Sequence, residues 1–348
     1  MGNKKIFYIA VSVLVIVLVA SGIIFIAQKN VDARNDDSAD SEISEAEESI
    51  AEQDDYYSNE KWAEGTITYD GKQYKYNNKL KSYLFMGVDK DTTVDVKASD
   101  YLDGGQSDAM FLLVADPTTK TMQIIAINRN TITDVDMYDA EGTNLGSYSV
   151  QICLAHGYGD GKRVSCGYAV DAVENLFYDI PISGYMALNI GGVPALNDYV
   201  GGVTVEVLPG LEYLGDSSLV TGETVTLTGQ QAYNYLRGRD TSSFGSANLR
   251  LARQQQYIDA YLPLLKSKLS QGDSEALNLY SSIEDYLVTN IDGEDLSKIL
   301  DEYTLEGDEI LTLEGETIEN DEGFEEFHVD EDALYKLVID VFYQEVEE

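Results

Sequence analysis

Positive charge is what this sequence has least of. Lys and Arg number 23 against 62 Asp and Glu, for a formal net charge of −39. Nucleic-acid binding rests on Lys and Arg neutralising phosphates, so so acidic a chain argues against DNA or RNA as a partner. Histidine is nearly missing too, with two residues, and so is cysteine, with Cys153 and Cys166. That rules out a His/Cys metal cluster as the organising chemistry. No cysteine lies near the apolar N-terminal stretch, which excludes a lipoprotein-type anchor there. Arginine is rare enough for its placement to matter. Four of the seven arginines, Arg237, Arg239, Arg250 and Arg253, fall between Tyr235 and Tyr257. The planar guanidinium pairs bidentately with carboxylate or phosphate. Two readings of the window stand open: pairing with neighbouring Asp and Glu, or an anion site for phosphate.

What is present bounds the architecture. Lys4 and Lys5 precede an uncharged run from Ile6 to Ala27. As a helix rising about 1.5 Å per residue it would span a hydrocarbon core of roughly 30 Å. Lysines before it and an acidic run after it place residues 1–5 in the cytoplasm and the bulk of the chain outside the cell. A cleaved signal peptide ending near Ala20-Ser21-Gly22 is the alternative, but the apolar run continues through Ile26. Residues 28–62 form an acidic linker with too few aliphatic residues to offset ordering entropy, so disorder is expected. Residues 63–348 suffice for one large extracellular domain or two small ones, with 22 of the chain's 25 tyrosines toward a core. In that compartment Cys153 and Cys166 are expected to close a short disulfide loop.

Along the folded part, 66–76 reads as a hairpin turning at Asp70-Gly71. Apolar runs predict strands at Ser82–Val88, Ala109–Ala115 and Met122–Asn128, the last two joined by the turn DPTTK and so antiparallel. If the first and third run together, Asp89, Asp108 and Arg129 share one edge of the sheet, where open α/β sheets place ligands. A helix over Tyr168–Tyr178, a strand over 184–190, a short helix over Val193–Tyr199 and a strand over 203–207 follow. Thr228 with Gln231 fits a capping box, starting a helix near Gly229 that ends at Arg237. A second helix from about Ser246 carries Arg250 and Arg253 on one face, with Pro263 a kink or break. The tail beyond Leu277 offers structural support and no chemistry of its own.

Six segments taken together resemble the LytR–CpsA–Psr family of envelope proteins. They are FMGVD (85–89), GGQSDAMFLLVADP (104–117), IIAINRNT (124–131), DIPISGYMALNIGGVPALNDYVGGVTVEV (179–207), LTGQQAYNYLRGRD (227–240) and NLRLARQQQ (248–256). They follow the family's order across about residues 80–270, leaving 271–348 as a supporting part. The resemblance implies an α/β/α sandwich with a central mixed sheet and an N-terminal transmembrane helix. It also implies an enzyme that moves a glycopolymer from undecaprenyl pyrophosphate to a peptidoglycan sugar hydroxyl. By position, Asp89 and Asp108 resemble the family's aspartates near Mg²⁺ (Mn²⁺ being an alternative). Arg129, Arg237, Arg239 and Arg253, with Arg250 and Gln254 beside them, resemble its pyrophosphate-binding residues. Asp89, Arg129, Arg237 and Arg239 are the catalytic candidates, Asp89 as proton acceptor. Such chemistry needs charge spread over phosphate oxygens to be neutralised while the acceptor is held in line. Gln106 and Asn130 stand where the family often carries an arginine and an aspartate. A lipid-pyrophosphate hydrolase and a non-catalytic receptor for lipid-linked glycans remain alternatives.

Overall fold

The computed structural model describes residues 65–94, 103–139, 141–238, 240, 246–269, 271, 274–291, 303–306, 310–320 and 323–346. The expected membrane span at 6–27 and the linker at 28–62 lie outside them. Among the described residues no helix is long and apolar enough to cross a membrane.

The strands with the longest apolar runs lie at the centre, because both of their faces are covered. These are β3 (Lys81–Val88), β4 (Ser107–Asp116) and β5 (Thr121–Ile127), after the small hairpin β1 (Thr66–Tyr69) and β2 (Lys72–Tyr76). A second hairpin, β6 (Ile132–Tyr138) and β7 (Asn144–Gln151), leads to a one-turn helix α1 (Leu154–Gly157) and then α2 (Arg163–Leu176). Then come β8 (Gly184–Asn189), α3 (Val193–Tyr199), β9 (Val203–Glu206), β10 (Thr224–Leu227), α4 (Gly229–Arg237), α5 (Ser246–Leu269) and α6 (Ser274–Ile283). The C-terminal part supplies β11 (Leu287–Thr289), β12 (Thr304–Leu305), β13 (Leu311–Thr312), β14 (Gly315–Glu319), β15 (Glu325–Val329), α7 (Glu331–Phe342) and β16 (Tyr343–Glu345).

The central sheet runs β11-β8-β3-β4-β5-β12, with β13 also on β5. It is mixed: β3 is antiparallel to β4 and parallel to β8, and β5 is antiparallel to β4 and parallel to β12 and β13. Alternate residues of each strand feed separate cores, as a period of two requires. Tyr83, Phe85, Phe111, Leu113, Ile124 and Met186 pack on one face against α3 to α6. Leu84, Met86, Met110, Leu112, Ile125 and Ala187 pack on the other against α2 and α7. The result is helices, sheet, helices: three layers. The tail is therefore part of the sandwich itself, with β11, β12 and β13 edging the sheet, α7 in one helical layer and β16 on β2.

Most expected elements sit within a few residues of their expected bounds; three differ. Strand β4 begins at Ser107, so Asp108 is its second residue and does not precede it. Helix α2 starts five residues earlier than expected, at Arg163. Helix α5 runs through Pro263, so of the kink or break expected there the break does not occur. The 132–151 hairpin, with an exposed β7 and little apolar alternation, gave the sequence pattern no strand signal to find.

Candidate active site

Strands β3, β5 and β8 point the same way, so their C-terminal ends, and the N-terminal end of β4, meet on one sheet edge. That edge receives Asp89, Asp108 and Arg129, as the strand directions required. Arg129 donates from one terminal nitrogen to Asp108 Oδ1 and from the other to Gln106 Oε1 at 2.6 Å and Cys153 Sγ at 3.4 Å. Its backbone is held as well, the Arg129 carbonyl accepting from Cys153 N at 3.2 Å. Its Nε–H is buried with no acceptor among the described residues. Asp89 Oδ1 accepts from Gln106 N at 2.7 Å. Gln106 thus joins Asp89 to Arg129, its backbone on one and its side chain on the other. Burial pushes the Asp108 carboxyl above its usual range and the charge of Asp89 adds to this, while Arg129 and Arg250 pull it down. Asn130 turns away from this group, its Nδ2 donating to Glu325 at 3.4 Å.

The approach to β4 is set by close backbone contact. Gly104 N donates to Gly157 O at 3.1 Å, and His156 Nδ1 lies 2.9 Å from Gly105 O. A Cβ on Gly104 would run into His156 O and come within 2.7 Å of Ser165 Oγ, so only glycine lets this loop lie against α1 and α2. A carbonyl partner requires the proton of His156 on Nδ1. Burial holds His156 below the ordinary histidine pKa, and it stays neutral. An unfolded chain takes up the proton near pH 6.5 that the folded one refuses, so this linkage costs stability as pH falls below that value. We expect unfolding free energy to fall between pH 7.5 and 5.5 with a slope approaching about 1.4 kcal/mol per pH unit from this residue. A His156→Gln variant removes that component, which denaturant titrations at each pH measure.

The second half of the site is carried by α4 and α5. The capping box is present, with Thr228 N donating to Gln231 Oε1 at 2.8 Å, worth about 1 kcal/mol to the helix start. At its far end Arg237, the last residue of α4, pairs with Asp91 and with the Tyr233 hydroxyl, which itself donates to Asp91. The guanidinium also lies 5.6 Å from the Tyr233 ring centroid. The pair is solvent-exposed on both sides, so it is worth about 0.2–1 kcal/mol. Arg250, in the first turns of α5, is near enough to act on Asp108 electrostatically. Arg239 lies outside the described residues.

Arg253 corrects the expectation of a pyrophosphate ligand. It is fully buried, and its Nε, one terminal nitrogen and the other donate to the carbonyls of Tyr235 (2.9 Å), Pro209 (2.8 Å) and Gly238. Gln254 Nε2 donates to Leu236 O at 3.1 Å. The last carbonyls of a helix lack intrahelical partners, and here α5 supplies them. The positive charge of Arg253 also sits at the negative end of α4. Arg253 and Gln254 therefore hold the helix end from which Arg237 projects. The pattern of helix-end arginines was legible; which of them faces inward was not, because Arg253 and Arg250 are three residues apart and a helix face has no sign in sequence.

The cysteines correct a second expectation: both are free and buried. Each sulfur has its own neighbour, Arg129 for Cys153 and His156 Nε2 at 3.9 Å for Cys166. Asp91 and Tyr233 are the site residues that sequence reasoning missed. Their only signal was position, two residues after Asp89 and one turn before Arg237.

The LytR_cpsA_psr family model matches residues 39–339. The chain belongs to that family. Among relatives, it is 27% identical over 232 residues to the polyisoprenyl-teichoic acid–peptidoglycan teichoic acid transferase TagU of Enterococcus faecalis, covering 66% of this chain and 68% of that one. It is 28% identical over 222 residues to the TagU of Bacillus licheniformis, covering 64% of this chain and 63% of that one. In fold it is similar to the crystal structure of protein gbs0355 from Streptococcus agalactiae, with a TM-score of 0.53 and 21% identity, over 76% of this chain and 86% of that one. The mixed α/β fold with a central mixed sheet is thus shared with that structure.

Proposed function

We propose that this LytR_cpsA_psr family member is a membrane-anchored, extracellular phosphotransferase, moving a glycopolymer from undecaprenyl pyrophosphate to a peptidoglycan sugar hydroxyl. The observation that carries this reading is the convergence of Asp89, Asp108 and Arg129 on one sheet edge, with Arg250 acting on Asp108 and Arg237 beside Asp91 at the end of the same strand. The names of the relatives support the donor and acceptor classes. The uncharged run at 6–27 after Lys4 and Lys5 supports the anchor and the outward domain.

A divalent cation fits the donor set. Asp89 and Asp108 are near enough for the charge of one to raise the pKa of the other, a repulsion that a cation relieves. Among the described residues no cluster of three or more His, Cys, Asp and Glu forms a full cage. Two carboxylates completed by substrate phosphates and water suit Mg²⁺, or Mn²⁺ in its place. Asp89 and Asp108 would hold the ion, and it would supply charge neutralisation on the transferring phosphate.

In this reading Arg129, Arg237 and Arg250 bind the pyrophosphate oxygens, and Arg239 joins them by its position in the motif. The acceptor oxygen attacks the phosphorus that carries the sugar, and its proton passes to the Asp89 carboxylate. The acceptor O–P bond forms as the bridging P–O bond breaks, and undecaprenyl phosphate leaves with the electron pair. The arginines spread the charge that develops.

The test uses the part of the chain from about Tyr56, a short-chain lipid-pyrophosphate sugar donor and peptidoglycan oligomers, with products followed by mass spectrometry. The expected product is a polymer–peptidoglycan adduct that disappears when a chelator removes the metal and returns with Mg²⁺. Free phosphorylated sugar with no adduct would replace the transferase by a hydrolase. Donor binding without turnover at any Mg²⁺ concentration would replace it by a receptor.

A further inference from the structure

The loop after β3 is held by its backbone. Gly191 N donates to Lys90 O at 3.0 Å, Asn189 Nδ2 donates to Thr92 O at 2.9 Å, and Val94 N donates to Asp285 O at 2.8 Å. Gly191 lies so close that a Cβ there would run into the carbonyl oxygen of Asp91. The main chain of the loop is thus fixed against the end of β8, independently of what side chain stands at 91. The Asp91 side chain makes no part of that fastening. It reaches out to Arg237 and Tyr233.

An exposed ion pair adds little stability, so its effect on the fold does not account for this arrangement. Its geometry does something else: it places a monoanion on an arginine at the rim of the pyrophosphate site, two residues from Asp89. A carboxylate and a phosphate compete for the same planar fork. A pyrophosphate diester carries more charge and more acceptor oxygens than one carboxylate, and the exposed pair yields to it without stranding a buried ion.

We propose that the Asp91 carboxylate is an internal competitor for the donor pyrophosphate, holding Arg237 until the donor displaces it and thereby setting donor affinity. This rests on the pyrophosphate-binding reading above. Tyr233 steadies the guanidinium in both states, through its ring and its hydroxyl. Asp91 is a specificity-determining residue in this scheme, because a weaker anion than pyrophosphate does not displace it.

The experiment is a calorimetric titration of the full chain in detergent micelles with inorganic pyrophosphate, and with a short-chain polyprenyl pyrophosphate, in the presence of Mg²⁺. The proteins are the wild type, Asp91→Asn, Arg237→Ala and the double variant. Asp91→Asn is expected to tighten binding about three- to tenfold, since the competing charge is gone while the shape is kept. In the Arg237→Ala background the same change is expected to alter binding less than about twofold, because there is no arginine left to release. Unchanged or weaker binding by Asp91→Asn overturns the proposal. A gain that persists without Arg237 overturns it too, since it would be general charge repulsion. If the wild type binds and only the tightening is missing, the inference fails alone. If no protein binds either ligand, the functional reading falls with it.

Discussion

Arg129→Ala is expected to lower the rate of transfer by about a hundred- to a thousandfold, the range seen when one preorganised donor to a developing charge is removed. The structure gives this residue two opposed attachments, Asp108 on one terminal nitrogen and Gln106 on the other. Both fix the plane of the guanidinium at the sheet edge. Arg129→Lys is expected to recover little of the loss, because an ammonium cannot fork to both partners at once. Side-chain exposure of 36% for Arg129 and 38% for Asp108 keeps the stability effect near about 1 kcal/mol. Asp108, losing the attraction that holds its pKa down, would rise further above the usual carboxylate range and hold metal less well. Turnover measured against Mg²⁺ concentration therefore separates the two contributions. A variant that recovers full rate at saturating Mg²⁺ would show Arg129 acting only through Asp108.

Arg253→Met is expected to do the opposite, unfolding the protein before it disables the chemistry. The side chain is fully buried and answers three carbonyls, those of Tyr235, Pro209 and Gly238. Methionine fills a similar volume and donates to none of them. Leaving buried acceptors unpaired costs about 1–3 kcal/mol each before relaxation, and about 3–5 kcal/mol together is the expected loss. For a domain of this size that is a fall of roughly 5–8 °C in the unfolding midpoint. Arg253→Lys is expected to lose nearly as much, since one ammonium cannot span carbonyls on two segments. Thermal unfolding followed by circular dichroism checks the first value. A midpoint within about 2 °C of wild type, with donor binding lost, would return Arg253 to the pyrophosphate site.

The contrast between these two arginines separates what was legible from what was not. Strand identity and direction could be read because β3, β4 and β5 are apolar runs divided by polar turns, and a short turn forces antiparallel pairing. Once β3 is found antiparallel to β4, and so to run with β5, Asp89, Asp108 and Arg129 share one edge. The capping box at Thr228 likewise placed Arg237 at a helix end. Local chemistry and periodicity carry this information, and both are written in consecutive residues. The family followed from six motifs in order.

Other features depend on residues far apart in the chain. The burial of Arg253 against Pro209 and Gly238, the separate neighbours of Cys153 and Cys166, and the pairing of Asp91 with Arg237 each join segments with no shared periodicity. The tail was expected to give structural support, and the support it gives, β12 and β13 pairing with β5 at the edge of the central sheet, is likewise set by distant partners. By itself the sequence determined the apolar strands β3, β4 and β5, the antiparallel turn between β4 and β5, and the capped start of α4, because those follow from local propensity and pattern. Only the tertiary structure decided which arginine faces solvent, which serves as a buried clasp and which carboxylate answers it, because a side chain's role is set by the partners that packing brings to it.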